Sequence, residues 1–201
     1  MNQLPLRERN KQRVTQRIIS AASELFTTRG YHPTTMDDIA EKAEISRGTL
    51  FNYFQSKEAL LLPWGQEILE QQIQPQLMIY LSTQPETWQV FQFLFTKMSE
   101  NMREYPDIIP VFVREAAKSC HPVRTGSTGM DVQEVFIQVL RYGQERGEIR
   151  TDLPLENIAS YLSALQMSLF YRILELTLAE NSSLEIDRLL AFLKKGLAQG
   201  V

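Results

Sequence analysis

The chain has 201 residues, of which 43% are hydrophobic and 22% are charged, and its net charge is −3. This composition is typical of a globular protein, and a chain of this length can bury a core without disulfides. The single cysteine, Cys120, excludes an internal disulfide. The N-terminus lacks the apolar segment of a signal peptide, and no apolar window is long enough to span a bilayer comfortably. We therefore expect a cytoplasmic protein with no membrane partner.

The charge is unevenly distributed along the chain. Residues 1–60 carry nine Lys or Arg against seven Asp or Glu, whereas the remainder carries twelve against seventeen. The first twenty residues alone hold five basic groups and one acidic group. This asymmetry indicates an anion-binding N-terminal part, although basic tails are often only solvated.

Three short helices are predicted first. Apolar residues recur at three- and four-residue steps from Val14 to Phe26, and Gly30 stands where a helix-ending glycine belongs. Thr35 is placed to cap a second helix of about two turns, with acidic residues in its first turn. Ser46 is placed to cap the third helix, and Ser56 the fourth.

The later segments are longer and also helical. Apolar periodicity predicts helices over about 85–104, 130–146, 155–179 and 184–197, and the sequence SCHPVRTGSTG is interpreted as a loop. No segment alternates at a period of two residues, and there is no internal repeat. The fold class is therefore all-α, with about nine helices. Residues 1–62 form a helix-turn-helix domain, and residues 63–201 form a larger helical bundle.

The second and third helices have the lengths and tight turn of a helix-turn-helix, whose second helix lies in the DNA major groove. Gly48, Thr49, Asn52 and Tyr53 cover one arc of the third helix, opposite Leu50, Phe51 and Phe54, which we interpret as core. The outward arc carries small hydrogen-bonding groups where a solvated helix would carry Lys and Glu. Thr49 and Asn52 can contact base edges. Thr35, Tyr53 and Lys57 are placed to hold phosphates, and Arg47 can reach either a guanine or a phosphate.

The same stretch resembles the DNA-binding domain of TetR-type regulators over about fifty residues, Val14 to Leu62. The resemblance rests on Ala22, Leu25–Phe26, Gly30, Thr34–Thr35, Ile39–Ala40, Ala43, Ser46, Gly48–Leu50, Tyr53–Phe54, Ser56–Lys57 and Leu60. It departs from the family pattern at Glu44, where glycine is frequent, and at Phe51, where tyrosine is frequent. The rest of the chain matches only in length, helical content and helix count.

The resemblance implies a homodimeric transcriptional regulator, usually a repressor, that binds double-stranded operator DNA and a small-molecule effector. Carried over by position, the resemblance implies DNA contacts from Thr35, Arg47, Thr49, Tyr53 and Lys57. Thr34, Gly48 and Asn52 complete the candidate DNA-binding residues. Family members dimerise through their last two long helices. In this chain the corresponding candidates are Tyr161, Leu165, Ser168, Leu169, Leu189, Phe192 and Leu193. An entirely internal helix in a monomer is the alternative for residues 155–179.

Aromatic and methionine side chains provide a candidate effector pocket in the bundle. They recur at helical spacing and suit an apolar or planar ligand: Trp88, Phe91, Phe95, Met98 and Met102, with Phe136, Met167, Phe170 and Tyr171 opposite. Plain core packing explains the same spacing.

Pro63 is predicted to kink the fourth helix, either as a static feature or at a junction through which effector binding is signalled. We predict no catalytic residues, because no nucleophile stands beside a base at a recognisable spacing. We also predict no cofactor and no metal, because Cys120 and His121 cannot form a metal site alone. The competing function class is a helical interaction protein whose helix pair contacts protein instead of DNA.

Overall fold

The computed structural model describes residues 5–118, 131–175 and 182–198. Within these ranges the chain is almost entirely helical. Its α-helices are α1 (Leu6–Arg29), α2 (Met36–Lys42), α3 (Arg47–Tyr53), α4 (Leu61–Ile68), α5 (Gln74–Ser82), α6 (Thr87–Glu104), α7 (Ile109–Lys118), α8 (Val132–Glu145), α9 (Leu155–Glu175) and α10 (Ser182–Leu197). A 3₁₀ turn, Glu58–Leu60, precedes α4, and a π-helical segment, Leu69–Ile73, joins α4 to α5.

The four helical segments between Glu58 and Ser82 follow one another without a gap, so that they count as one helix and the described residues form nine helices. The all-α prediction is confirmed. The only extended pairing among them is one isolated bridge between Ile149 and Ala198. None of the described helices combines the length and the apolar character needed to cross a membrane. The predicted loop with Cys120 and His121, and the predicted helical residues 176–179, lie outside the described residues.

The chain divides into two compact units. The first contains the described parts of residues 1–68 and 105–129, and the second those of residues 69–104 and 130–201. The functional division at residues 62 and 63 stays a prediction, because compactness does not say which residues bind DNA and which bind an effector.

The first unit is organised around α1. This helix packs against α2 and α4, α2 packs against α3, and α7 packs against α4 and the 3₁₀ turn. The helices bury one apolar stripe each, as amphipathic surface helices do. The buried side chains of this unit include Ile18, Ala22, Leu25, Phe26, Ile39, Ala40, Leu50, Leu60, Leu61 and Trp64.

Helix α2 ends in a left-handed turn that contains the glutamate singled out in the sequence. Glu44 has φ 53°, and the amide of Ile45 donates to the carbonyl of Ala40 at 3.0 Å, which is the Schellman arrangement. Arg17 on α1 donates to the carbonyl of Ala43 and, at 3.4 Å, to a carboxylate oxygen of Glu44. A residue with a Cβ is therefore held where the family often has glycine.

The helix that contains Pro63 is irregular, but not at the proline. Pro63 is the third residue of α4, in the first turn, where the absent N–H has no helical acceptor to lose. The irregular geometry lies at the π-helical segment Leu69–Ile73 instead. Next to the proline, a Cβ added to Gly65 would lie 2.6 Å from the ring of Phe112, so the glycine permits α7 to approach α4 closely.

The second unit is organised around α6, which packs against α5, α8 and α10, while α8 packs along α9. The junction between α6 and α8 is tightly fixed. A Cβ on Gly143 would lie 2.5 Å from Ile149 and 2.8 Å from Thr87, and the amide of Thr87 donates to Glu148 at 2.6 Å. The core of this unit includes Val90, Phe91, Leu94, Phe95, Val135, Phe136, Val139, Leu140, Ile158 and Leu162.

Replacing Glu44 by Gly is expected to raise the free energy of unfolding by about 0.5–1 kcal/mol. Relief of the left-handed strain is worth about 1–2 kcal/mol, and the greater freedom of glycine in the unfolded chain offsets part of it. Chemical denaturation provides the measurement. Glu44→Ala is the matched control, because it removes the same exposed carboxylate but keeps the Cβ. An equal gain from both variants would contradict the strain argument.

Candidate nucleic-acid interface

Helix α3 is held in place by one buried side chain and one cap. Leu50 has no exposed surface. The hydroxyl of Ser46 accepts the amide of Thr49 at 3.0 Å and lies 2.8 Å from the hydroxyl of Thr49. This satisfies an amide that the first turn would otherwise leave unpaired. The cap and the buried leucine together fix which arc of this short helix faces outward.

The outward arc contains most of the residues predicted to read DNA. Arg47, Gly48 and Asn52 are exposed, and Thr49 and Tyr53 are half-buried. The space around the Cα of Gly48 is open, since the nearest side-chain atom to an added Cβ would be Ser46 Oγ at 3.9 Å. A duplex could therefore approach the backbone here.

The structure corrects the interpretation of Phe51 as a core residue. Its side chain is 37% exposed, whereas Phe54 is half-buried and Leu50 is completely buried. The guanidinium carbon of Arg47 lies 5.4 Å from the centroid of the Phe51 ring. Because α3 makes only two turns, its buried face has room for little more than Leu50, and Phe51 lies on the flank of the outward arc.

The residues before α2 form a complete capping box. The amide of Asp38 donates to the hydroxyl of Thr35 at 3.1 Å, and the amide of Thr35 donates back to the carboxylate of Asp38 at 2.8 Å. The hydroxyl of Thr35 also donates to that carboxylate at 2.5 Å. Thr35 remains exposed, but its hydroxyl already has partners within the cap.

Thr34 does not lie on the outward surface. Its side chain is 1% exposed, and its hydroxyl donates to the carbonyl of Gly30 at 2.8 Å. Contact with DNA would require this turn to open. Thr34 is therefore left out of the interface, and its place in the family motif reflects the turn between α1 and α2.

Lys57 also stabilises the turn between α1 and α2. Its ammonium donates to the carbonyls of Tyr31 at 2.7 Å, Thr34 at 2.8 Å and His32 at 3.3 Å. It also lies 4.2 Å from the centroid of the Tyr31 ring. Burial lowers the pKa of Lys57, and the charge of Glu58 opposes that shift. An ammonium has three N–H donors, and all three have acceptors here, so a phosphate would have to displace one. Lys57 therefore has a structural role in this turn, and its phosphate contact stays a prediction.

A groove of about 1210 Å³ runs beside the outward arc. Helix α1 contributes Arg7 and Lys11 to it, and α3 contributes Asn52 and Tyr53. The remaining walls are largely apolar and include Leu6, Val14, Phe54, Ala59, Leu62 and Pro63. The basic start of the chain therefore lies beside the C-terminal end of α3, which carries Asn52 and Tyr53.

Sequence reasoning missed one member of this surface, Asp37. Its carboxylate accepts from Arg47 Nη1 at 2.8 Å, with both side chains mostly exposed. The sequence assigned Asp37 only a favourable position in the first turn of α2. A contact between residues ten positions apart, on two helices, has no periodic signature that could have predicted it.

The predicted effector residues divide into core and periphery. Phe91, Phe95 and Phe136 have no exposed surface. The ring of Phe95 is stacked against Phe91 with centroids 6.3 Å apart, and it is tilted against Phe136 with centroids 5.9 Å apart. These rings act as core. Tyr171 is 42% exposed, and Trp88 is half-buried with Lys194 beside its ring.

The remaining candidates lie where α6 and α9 are linked by a buried amide. Gln166 is 6% exposed, and its Nε2 lies 3.1 Å from the sulfur of Met98. Met102 and Phe170 are buried, and Met167 is half-buried. An amide inside an apolar region is expensive unless paired, so this is the polar feature that could orient a ligand.

The candidate dimer residues also divide. Tyr161 and Phe192 are 63% and 66% exposed, Ser168 is exposed, and Leu165 and Leu189 are half-buried. Leu169 and Leu193 are each 4% exposed and belong to the core of the second compact unit. Helices α9 and α10 are tied together by Glu185, which accepts from Arg172 at 2.9 Å and from Arg188 at 2.7 Å.

Comparisons with known proteins agree with this geometry. Residues 18–62 match the family model described as bacterial regulatory proteins, tetR family. The transcriptional repressor DhaR of Mycobacterium sp. (strain GP1) is 30% identical over 158 residues, which cover 75% of this chain and 77% of that protein. The uncharacterised regulator YvkB of Bacillus subtilis (strain 168) is 26% identical over 151 residues, covering 75% and 78%.

Among solved structures, FadR of Thermus thermophilus is similar over nearly the whole chain. It is a TetR-family repressor determined in complex with lauroyl-CoA. The two chains are 26% identical, with a TM-score of 0.69 and coverage of 90% of this chain and 92% of that one. The likeness therefore extends well beyond the helix-turn-helix.

The cap of α2 should make the stability of the first unit depend on pH. The hydroxyl of Thr35, followed by its amide, lowers the pKa of Asp38. A depressed carboxyl pKa stabilises the fold above the unfolded value, about pH 4, and that contribution is lost as pH falls further. Denaturation from pH 6 to pH 2.5 should show a smaller loss for Asp38→Asn than for the unmodified protein. Glu41→Gln, on the exposed side of α2, is the control, and identical pH dependence of both variants would contradict the assignment.

Proposed function

Because the chain belongs to the TetR family of bacterial transcriptional regulators, we propose that it is a ligand-responsive repressor that binds a palindromic operator as a homodimer. Members of this family are DNA-binding regulators and not enzymes. The observation that carries the proposal is the exposed arc of Arg47, Gly48 and Asn52 on a capped helix anchored by Leu50.

The reading contacts are assigned by chemistry and exposure. Asn52 presents an exposed amide, which can pair with both N6 and N7 of adenine. Arg47 can donate to guanine, and Thr49 can contact a base or sugar at the edge of the arc. Tyr53, with Arg7 and Lys11 of the neighbouring groove, supplies phosphate contacts. Thr35 stays a candidate phosphate contact through the exposed start of α2.

Dimerisation is assigned to the exposed sides of α9 and α10. Fifteen residues, from Asn157 to Tyr171, carry no charge, although several of them face solvent in the single chain. Large exposed apolar side chains such as Tyr161 and Phe192 are typical of a protein interface. A twofold dimer would place two reading helices about one DNA turn, roughly 34–36 Å, apart.

The effector is assigned to the α6–α9 region near Met98, Met102, Met167 and Phe170, with Gln166 as the orienting group. Flexible methionines can rearrange around an apolar chain or ring. The lauroyl-CoA complex of the Thermus thermophilus protein makes a fatty acyl chain the first effector class to test. The effector would favour a conformer with lower operator affinity, by no more than its differential affinity for the two conformers.

Asn52→Ala should weaken operator binding about tenfold or more, because a bidentate contact to adenine contributes roughly 1–3 kcal/mol. The operator is first obtained by selection from random duplexes with the full-length protein, and binding is then measured by fluorescence anisotropy at two salt concentrations. Gln92→Ala, which removes an exposed amide of α6, should bind like the unmodified protein. Selection that enriches no sequence, or binding that is insensitive to salt, would favour the protein-interaction alternative.

Tyr161→Glu combined with Phe192→Glu should yield a folded monomer, because two charges would have to be desolvated in the dimer interface. Light scattering after gel filtration measures the mass, and operator affinity should fall with it. The control is Ile79→Glu, which places a charge at a 70% exposed apolar position on α5. If the double variant remains a dimer, the α9–α10 surface is excluded as the dimer interface.

Addition of lauroyl-CoA should raise the dissociation constant of the operator complex, whereas free CoA should not, because the acyl chain supplies the apolar contacts. Gln166→Leu should change the concentration of lauroyl-CoA that is needed without changing operator affinity in its absence. If planar aromatic compounds release the protein from its operator and acyl chains do not, the effector belongs to the aromatic class instead. No response to either class would contradict the apolar-effector proposal.

A further inference from the structure

The first residue of the reading helix is held between an acid and an aromatic ring. Arg47 Nη1 donates to Asp37 Oδ2 at 2.8 Å, and the guanidinium lies 5.4 Å from the centroid of the Phe51 ring. The side chains of Arg47 and Asp37 are 67% and 60% exposed, so the pair lies on the surface. The carboxylate comes from α2 and the ring from α3, and together they restrict the position of the guanidinium.

Asp37 is not required by the cap of α2. That role belongs to Asp38, which forms both bonds of the capping box with Thr35. An additional carboxylate on a surface that approaches phosphates is electrostatically unfavourable for binding any DNA. The helix dipole favours an acid in the first turn of α2, but it does not explain why this carboxylate is paired with Arg47.

We propose that Asp37 is a positioning residue that determines specificity, by directing Arg47 towards a guanine and by penalising binding through phosphates alone. This inference rests on the proposed DNA-binding function. A guanidinium has five N–H donors, and the contact with Asp37 uses one of them. Arg47 can therefore keep Asp37 while it donates to O6 and N7 of guanine.

On unrelated DNA, Arg47 has a different preferred contact. Without a guanine in register, Arg47 gains most by turning towards a phosphate, which separates it from Asp37. The carboxylate is then left unpaired beside the negative backbone. The specific complex avoids that cost, so Asp37 lowers affinity for unrelated sequences more than affinity for the operator. Exposed ion pairs shift such equilibria by roughly two- to fivefold.

The experiment compares two duplexes and five variants of the full-length protein. Anisotropy competition gives the ratio of affinities for the selected operator and for a scrambled duplex of the same composition. Asp37→Asn should bind the scrambled duplex roughly two- to fivefold more tightly, with a smaller change on the operator, so the ratio falls. Glu41→Gln removes the same charge one turn further along α2 and should leave the ratio unchanged, because it changes both affinities alike.

Three further variants, Arg47→Ala, Arg47→Ala with Asp37→Asn, and Asp37→Glu, test whether the effect passes through Arg47. In an Arg47→Ala background, Asp37→Asn should no longer change the ratio. Asp37→Glu keeps the charge and should restore part of the discrimination. Repeating the selection with Asp37→Asn should relax the preference at the same G·C pair of each half-site that Arg47→Ala relaxes, an effect that a general change in charge or stability would not produce.

The outcomes separate this inference from the function on which it rests. If the unmodified protein discriminates but Asp37→Asn and Glu41→Gln change the ratio equally, the inference is overturned and the regulator stands. The same conclusion follows if Asp37→Asn retains the full preference at every base pair. If the unmodified protein does not distinguish the two duplexes, the proposed operator binding fails and this inference fails with it.

Discussion

The burial of Leu50 is the constraint on which the interface depends. Helix α3 has seven residues and buries one of them completely, so that side chain sets the rotation of the helix. The cap at Ser46 fixes the start of the helix. With rotation and start both fixed, Arg47, Gly48 and Asn52 face outward. Helix α2 packs directly against α3, and α1 in turn packs against α2.

The turn between α1 and α2 shows how a binding motif can consist largely of supporting residues. Thr34 and Lys57 belong to the family pattern, yet one is buried and the other donates to backbone carbonyls. Both side chains bind the turn that precedes Thr35 and the cap of α2. Substitution of such a residue would alter the geometry of this turn and would not itself remove a contact with DNA. Residues that match a family motif thus divide into two groups: those suited to contact a binding partner, and those that hold the contact residues in position.

The second unit shows the same division between core and function. The aromatic stripe of α6 was a candidate pocket wall, but Phe91 and Phe95 pack with Phe136 in a closed core. The buried amide of Gln166 beside Met98 is the feature that distinguishes one region from ordinary packing. On the outside, Tyr161 and Phe192 are large hydrophobic side chains that are mostly exposed, although contact with water does not favour them. In both places the informative residue is one whose polarity conflicts with its burial.

Local physics allowed the sequence by itself to determine much of this protein. Apolar periodicity predicted the helices, and the caps at Thr35 and Ser46 are chemical signals within four residues. The family resemblance singled out Glu44 as a position where glycine is frequent, and the structure shows that it is left-handed. Only the tertiary structure decided that Phe51 is exposed, that Thr34 is buried and that the ammonium of Lys57 already has its acceptors. It alone paired Asp37 with Arg47. The physical reason is that periodicity gives the direction of a side chain around its own helix, whereas burial and pairing depend on which other helix lies there.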